Sequence, residues 1–212
     1  MKTITIKPLE LKALSLFAPS ADIRQHLNGV LVEANAATTR LVVTNGHYLG
    51  LFDTAAENEG VDREEIIVPI HAIESIKKAM GRSSYGDVQL VIDEGKYELH
   101  HSGQTVAFAP IDGKFPDYKR AIPERVSGEQ AQFNGEYLAD IHKVQRLFSK
   151  TLSAMIWPSG DDGSALFQLQ GADNFIGVIM PVRTHGRNEE KPTAPSTGWA
   201  RQPIEVVQDK AA

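Results

Sequence analysis

Leu27-Asn28-Gly29-Val30-Leu31-Val32-Glu33, then Val43-Thr44-Asn45-Gly46-His47-Tyr48-Leu49, then Asp112-Gly113-Lys114-Phe115-Pro116-Asp117-Tyr118, are the segments on which the fold turns. Gly29 to Ala34 is an apolar stretch, and Arg40 to Thr44 has the character of a strand. Gly46 supplies a turn, after which Tyr48 to Asp53 resumes extended structure. A fourth segment, Gly177-Val178-Ile179-Met180-Pro181-Val182-Arg183, lies far downstream.

Working outward, three modules emerge, each expected to open on a short strand and continue into a helix and further strands. The first opens with Thr3 to Ile6, and Pro8 fits an early helical position before a helix over Leu9 to Phe17. The second opens with Ile66-Ile67-Val68-Pro69. Its helix carries Ile70, Ile73, Ile76 and Met80 at helical spacing and is closed by Gly81. Strands at Val88 to Asp93, Lys96 to His101 and Thr105 to Ile111 follow, divided by Glu94-Gly95 and Ser102-Gly103 turns. The third opens with Gln130 to Phe133. Its helix, Gly135 to Leu152, aligns Leu138, Ile141, Val144 and Phe148 on one stripe. Strands Ser153 to Trp157, Ala165 to Gln170 and Phe175 to Val182 complete it. Similar modules of ~50–60 residues make a repeat reading reasonable, although identity between them is faint. The expectation is an α+β protein of antiparallel sheets with one helix per module. Thr184 to Ala212 has three prolines, charges and little apolar periodicity, so it reads as a mobile tail. Its Trp199, Ile204, Val206 and Val207 would form any docking segment.

The 212 residues suffice for one large domain or two small ones. With no cysteine, disulfides and thiolate metal sites are excluded. The start Met1-Lys2-Thr3-Ile4 runs into alternating residues, and no apolar run reaches membrane-spanning length, so a soluble, cytoplasmic protein is expected. A formal net charge of −5 argues against a surface that is basic throughout, though not against local contact with nucleic acid.

In their order and separations, Leu-Asn-Gly, Thr-Asn-Gly-His, Gly-Lys-Phe-Pro-Asp-Tyr and Met-Pro-Val-Arg resemble the bacterial DNA polymerase III β subunit family, the sliding clamps. Leu9 to Pro123 resembles a middle domain, and Gln132 to Arg183 the second half of a last domain. The resemblance implies the DNA-clamp fold, three strand-helix-strands modules with antiparallel sheets outside and helices inside. It divides the chain into a complete clamp domain at 1–123, a half domain at 124–184 and a flexible tail at 185–212. The family captures partner proteins through a short peptide, a glutamine followed by leucine and an apolar pair. The resemblance carries that pocket onto Leu27; onto Thr44, Gly46, His47, Tyr48 and Leu49; onto Pro116, Arg120 and Ala121; and onto Val178, Ile179, Met180, Pro181, Val182 and Arg183. Tyr48 stands where the common bacterial pattern has arginine, and Ala121 replaces a larger apolar residue. The plainer alternative is that the apolar members are ordinary strand core. An apolar floor with a few polar rim groups suits peptide capture.

Lys143, Arg146 and Lys150 align on one face of the third helix, and Lys77, Lys78 and Arg82 lie beyond the isoleucines of the second. Such faces fit a clamp's hole, where they meet phosphates without reading bases. Solvated lysines are also common on helices, and Glu10 and Glu74 dilute the charge. Gln25 and His26 stand just before Leu27, where familiar bacterial clamps often present aromatic residues toward DNA.

No catalytic constellation stands out, so the chain reads as a non-enzyme without cofactor. Asp161-Asp162 sits in a Gly-rich turn. His100 and His101 are adjacent on a strand and point to opposite faces, unsuited to one metal. His47 has no serine or cysteine partner, and no phosphate-binding Gly-Lys-Ser/Thr loop occurs. The leading expectation is a reduced sliding clamp, of a kind that suits a small replicon such as a phage or mobile element, that encircles duplex DNA and tethers a polymerase, with a clamp loader as a further partner. Twelve modules per ring in this family imply a homotetramer, with a dimer as runner-up. The alternatives are a non-encircling decoy or adaptor that keeps the pocket, and a regulatory protein whose own Arg201 to Val207 fills it.

Overall fold

The computed structural model describes residues 1–19, 21–80, 86–183, 193, 194 and 197. Two compact units divide the chain, 1–182 and 183–212. In the first unit, the first module comprises β1 (Lys2–Ile6), α1 (Pro8–Ser15), β2 (Gly29–Asn35), β3 (Thr38–Thr44) and β4 (Tyr48–Ala55). The second comprises β5 (Glu64–Pro69), α2 (Ile70–Lys77), β6 (Val88–Asp93), β7 (Lys96–His101) and β8 (Gln104–Phe108). The third comprises α3 (Gly135–Phe148), β9 (Met155–Ser159), β10 (Gly163–Gln168) and β11 (Phe175–Ile179). No helix among the described residues is long and apolar enough to cross a membrane.

The strands form two antiparallel sheets, ordered β1-β6-β7-β8 and β5-β2-β3-β4-β11-β10-β9. The first two modules exchange their opening strands: β1 pairs with β6, and β5 pairs with β2. The third module joins the first through β4 and β11, so one sheet runs across both. Alternation along β2 explains the layering. Val30, Val32 and Ala34 face the helix-side core with Leu11, Leu14, Phe17, Ile73, Ile76 and Ile141. Leu31 faces the opposite side, where Val42, Leu49, Leu51, Ile67, Phe115, Tyr118 and Val178 form a second cluster. Helix α1 touches both α2 and α3.

Four expected elements differ. Gln130 to Phe133 is not a strand. Val182 N donates to Gln132 O at 2.7 Å, but among the described residues no strand extends that contact into the ladder that extended backbone needs. The third helix stops at Phe148 rather than Leu152 because Ser149 turns extended, and its Oγ accepts from the Thr151 and Leu152 amides. β8 ends at Phe108 and β11 at Ile179, both shorter than expected. Gly81 and the expected docking residues Trp199, Ile204, Val206 and Val207 lie outside the described residues.

Candidate peptide-binding rim and basic helix face

Antiparallel order puts the start of β2, the end of β3, the start of β4 and the end of β11 at one end of the seven-stranded sheet. Leu27, Thr44, Gly46 to Leu49 and Val178 to Val182 therefore line one rim. The turn that carries His47 is built by its own short side chains. Asn45 Oδ1 accepts from the His47 and Tyr48 amides at 2.9 and 3.0 Å. Thr44 Oγ1 donates to Tyr48 O at 2.7 Å and accepts from Gly46 N at 3.0 Å. Gly46 sits at φ +89°, where a Cβ would also meet Arg24 Nη1 at 3.0 Å. Arg24 braces the turn by donating to Asn45 O at 3.0 Å while gripping Asp22. Hydrogen bonds from Arg24 hold the half-buried Asp22 carboxyl down at about 2.

The strand pleat separates the expected pocket residues into two faces. Tyr48 turns toward the helices, with its ring edge-on to Phe17 at 5.1 Å and Tyr137 at 5.2 Å. Burial lifts its phenol well above the usual tyrosine range, with the Asp140 carboxylate adding to the effect. Ile179 belongs to the same helix-side core. Leu49 and Val178 face the other way, side by side in register. Leu27 and Thr44 are buried, whereas Gly46 and His47 are exposed. His47 stacks on Tyr137 with centroids 5.4 Å apart, and its carbonyl accepts from Met180 N at 2.8 Å. Beyond that pin, Met180 and Val182 are each 41% exposed. Pro181 between them is half-buried, and Arg183 is exposed and opens the second unit.

A strap formed by residues 111–122 crosses the outer face. Ile111 N donates to Ile67 O at 3.0 Å, and Phe115 and Tyr118 are buried against Leu49 and Val178 in the outer cluster. Tyr118 Oη donates to Glu33, and Arg40 donates to Tyr118 Oη at 3.3 Å and to Asp53 at 2.8 Å. Burial and the bond to Glu33 push the Tyr118 phenol up to about 12, with Arg40 opposing. Ser164 Oγ donates to Ala121 O at 3.3 Å, tying the strap's end to β10. Pro116, Arg120 and Ala121 are exposed on it, and Arg120 pairs with Asp117 at 3.0 Å. The rim and strap thus share one apolar floor, flanked by exposed apolar, cationic and imidazole groups. A polar cleft of about 420 Å³ lined by Glu33, Asn35, Arg40, Asp53 and Glu64 lies toward the other end of the sheet and includes none of the expected pocket residues.

On the helix face, the expected basic residues are partly committed. Lys77 donates to Ser15 at 2.9 Å and to Glu74 at 2.6 Å. Lys143 pairs with Asp140 at 2.8 Å, and Arg146 donates to Lys150 O at 2.6 Å. Lys78 and Lys150 are exposed, and Arg82 lies outside the described residues. His101 is buried and His100 pairs with Glu98 at 2.8 Å, on opposite faces of β7. No cluster of metal-ligating side chains occurs among the described residues. Sequence reasoning missed Arg24 and Tyr137. The Asx-turn capacity of Asn45 before Gly46 was a readable signal, but the reach of Arg24 was not.

Three comparisons bear on this arrangement. The sequence model of the DNA polymerase III beta subunit, central domain, matches residues 10–117. The beta sliding clamp of Pseudomonas aeruginosa is 31% identical over 130 residues, 61% of this chain and 33% of that protein. That of Pseudomonas putida is 35% identical over 103 residues, 49% of this chain and 28% of that protein. The chain therefore spans about a third of the length of the curated relatives it matches. The crystal structure of the Pseudomonas aeruginosa DNA polymerase III subunit beta superposes with a TM-score of 0.68 at 23% identity, over 85% of this chain and 66% of that one. The Thermotoga maritima beta subunit gives 0.73 at 15% identity, over 87% and 66%. At such identities the superpositions establish the fold. Together with the match over half the chain, they make this protein a member of the DNA polymerase III beta subunit family, built around that family's central domain.

Proposed function

We propose that the chain is a non-catalytic, clamp-type binding protein that captures a partner through a short glutamine-led peptide with leucine and an apolar pair. The peptide lies along the rim where β4 meets β11, with its apolar side chains over Leu49, Val178, Met180 and Val182 and its polar groups toward His47 and Arg120. The observation that carries this reading is the pinning of Met180 N to His47 O, which holds two exposed apolar side chains beside an already formed apolar floor. A preformed floor spares the peptide the cost of ordering its receptor. Leu27, Thr44, Gly46, Tyr48, Pro116, Ala121, Ile179 and Pro181 shape the rim from beneath or beside it. Titration of a labelled peptide of this pattern against the chain tests the reading, and no saturable binding at millimolar peptide would end it. In this form the protein is an adaptor or decoy for clamp-binding proteins, such as a polymerase, in the cytoplasm.

A second reading, encirclement of duplex DNA, is favoured by α1, α2 and α3 sharing one face of the sheets with Lys77, Lys78, Lys143, Arg146 and Lys150 on them. It divides the chain into a complete domain at 1–123, a half domain at 124–184 and a tail at 185–212. It requires several copies, a homotetramer before a dimer, and a loader or spontaneous opening. Retention on closed circular DNA with loss on linearisation tests it, and equal retention on both would refute it.

A further inference from the structure

We propose that the outer face of the seven-stranded sheet, beside the strap, is a docking surface for a basic amphipathic segment of a partner protein. The registers of the sheet set that face out in rows. Leu49, Val178, Leu166 and Trp157 stand opposite one another across β4, β11, β10 and β9. Ile67, Leu31, Val42, Leu51 and Ile176 form the next row, from β5 to β11. The third row is charged, with Glu65, Glu33, Arg40 and Asp53 opposite one another from β5 to β4. An apolar field and an ionic one therefore share one face, about 7 Å apart along the strands.

The strap covers only part of the apolar field. Phe115 and Tyr118 pack on Leu31, Val42, Leu49, Leu51, Ile67 and Val178, which are at most 7% exposed. Beyond it the field opens to solvent. Ile176 is 44% exposed although it stands directly opposite the buried Leu51. Trp157 is 37% exposed, and Met155, two residues away on the same face of β9, is 46% exposed. Three large apolar side chains open on one sheet face mark an interaction surface.

The charged row says which kind of partner fits. It floors the cleft of about 420 Å³, which five carboxylates and two arginines line among the described residues. Glu65 stands directly opposite Glu33, and like charges so placed destabilise a sheet. Arg40, the one cation of the row, is shared between Glu33 and Asp53. Glu65 is exposed and makes no ion pair among the described residues. A partner's lysine or arginine entering the cleft relieves that repulsion while its apolar neighbours cover Ile176 and Trp157. The same carboxylates repel phosphate, so nucleic acid and anionic lipid are the wrong occupants. A second copy of this chain, with a net charge of −5, is also poorly matched to an acidic face. His47, Met180 and Arg120 take no part, so this surface and the peptide rim stand or fall separately.

A labelled synthetic peptide with leucines on one helical face and lysines on the other should bind the full chain saturably, and its glutamate counterpart should not. Glu65→Lys should weaken the lysine peptide about tenfold and lower the salt dependence of its binding. Glu94→Lys, between β6 and β7 in the other sheet, makes the same change in net charge and should leave the affinity unchanged. Ile176→Ser with Met155→Ser should weaken binding about fivefold or more while leaving the circular dichroism of the fold unchanged. A glutamine-led peptide at the rim should bind every variant as it binds the parent. Equal binding of the two amphipathic peptides would overturn the proposal. So would a loss in Glu65→Lys no larger than that in Glu94→Lys, because bulk charge alone would then attract the probe. Full affinity in the folded serine variant would overturn it too, since the apolar field would then contribute nothing. Should that variant fail to fold, the two charge reversals decide alone.

Discussion

Gly177 in β11 stands directly opposite Gly50 in β4, at the seam where the third module joins the first. Neither has a side chain, and the space is taken by rings from elsewhere. A Cβ on Gly177 would lie 2.1 Å from Phe167 Cζ, and one on Gly50 would lie 3.0 Å from both Leu14 and Phe17. Phe17 and Phe167 meet edge-to-face across the seam at 6.1 Å. The glycine pair thus lets helix-side aromatics cover the junction that positions the peptide rim.

Gly177→Ala should destabilise the fold by ~1–3 kcal/mol or more, since the buried Phe167 ring must move bodily. Gly50→Ala should cost less, because its contacts are tight rather than overlapping. Denaturant midpoints for the two variants test the order, and Phe167→Leu added to Gly177→Ala should recover part of the loss. Equal midpoints for Gly177→Ala and the parent would mean the seam packs differently.

Met180→Lys should weaken peptide binding by ~2 kcal/mol or more, because a charge enters an apolar contact. The side chain is 41% exposed in the free protein, so the fold should tolerate the change. Isothermal titration beside thermal unfolding separates the two effects. Unchanged affinity in a folded variant would remove the peptide from this rim.

Tyr118 links the strap to Glu33 and Arg40, and its raised proton affinity predicts an alkaline signature. The folded chain holds this proton more tightly than the unfolded chain does. The contribution is therefore complete below pH 10.0 and disappears as pH rises through about 12. Tyr118→Phe should lower stability near neutral pH and flatten part of the decline over that window. Tyr48, whose phenol is shifted in the same direction, keeps the remainder. Denaturation curves at pH 8 to 12 check this, and an identical slope in the variant would contradict it.

Simultaneous charge reversal at Lys143, Arg146 and Lys150 should weaken DNA binding at low salt and reduce its salt dependence, leaving peptide affinity intact. The effect per residue should be modest, because Lys143 already pairs with Asp140. Electrophoretic shifts across a salt series provide the measurement. Binding that is unchanged across the series would place any DNA contact on another surface.

Much of the fold was legible because its signals are local. Apolar and strand-like runs marked β2, β3 and β4 within a residue or two, and Pro8 and the isoleucine spacing marked α1 and α2. The Asn45-Gly46 turn could be read from side-chain chemistry that acts over three residues. Gln130 to Phe133 failed for the opposite reason. Its alternation is that of a strand, but a strand's hydrogen bonds come from other segments, and the donor to Gln132 O, Val182 N, lies past the end of β11. The overlong third helix missed a local competitor, the Ser149 hydroxyl.

The sequence by itself determined the three-module repeat, the order of strands and helices, and the family motifs that point to a clamp. Only the tertiary structure decided which of the rim residues look outward. Tyr48 and Leu49 are neighbours in sequence, yet one packs on Phe17 and Tyr137 and the other on Val178 and the strap. A strand's pleat guarantees that the two diverge, but which face receives helices depends on chain brought from a distance. The β4–β11 pairing joins residues more than a hundred positions apart, and hydrophobic burial across that seam, rather than any local propensity, creates the rim.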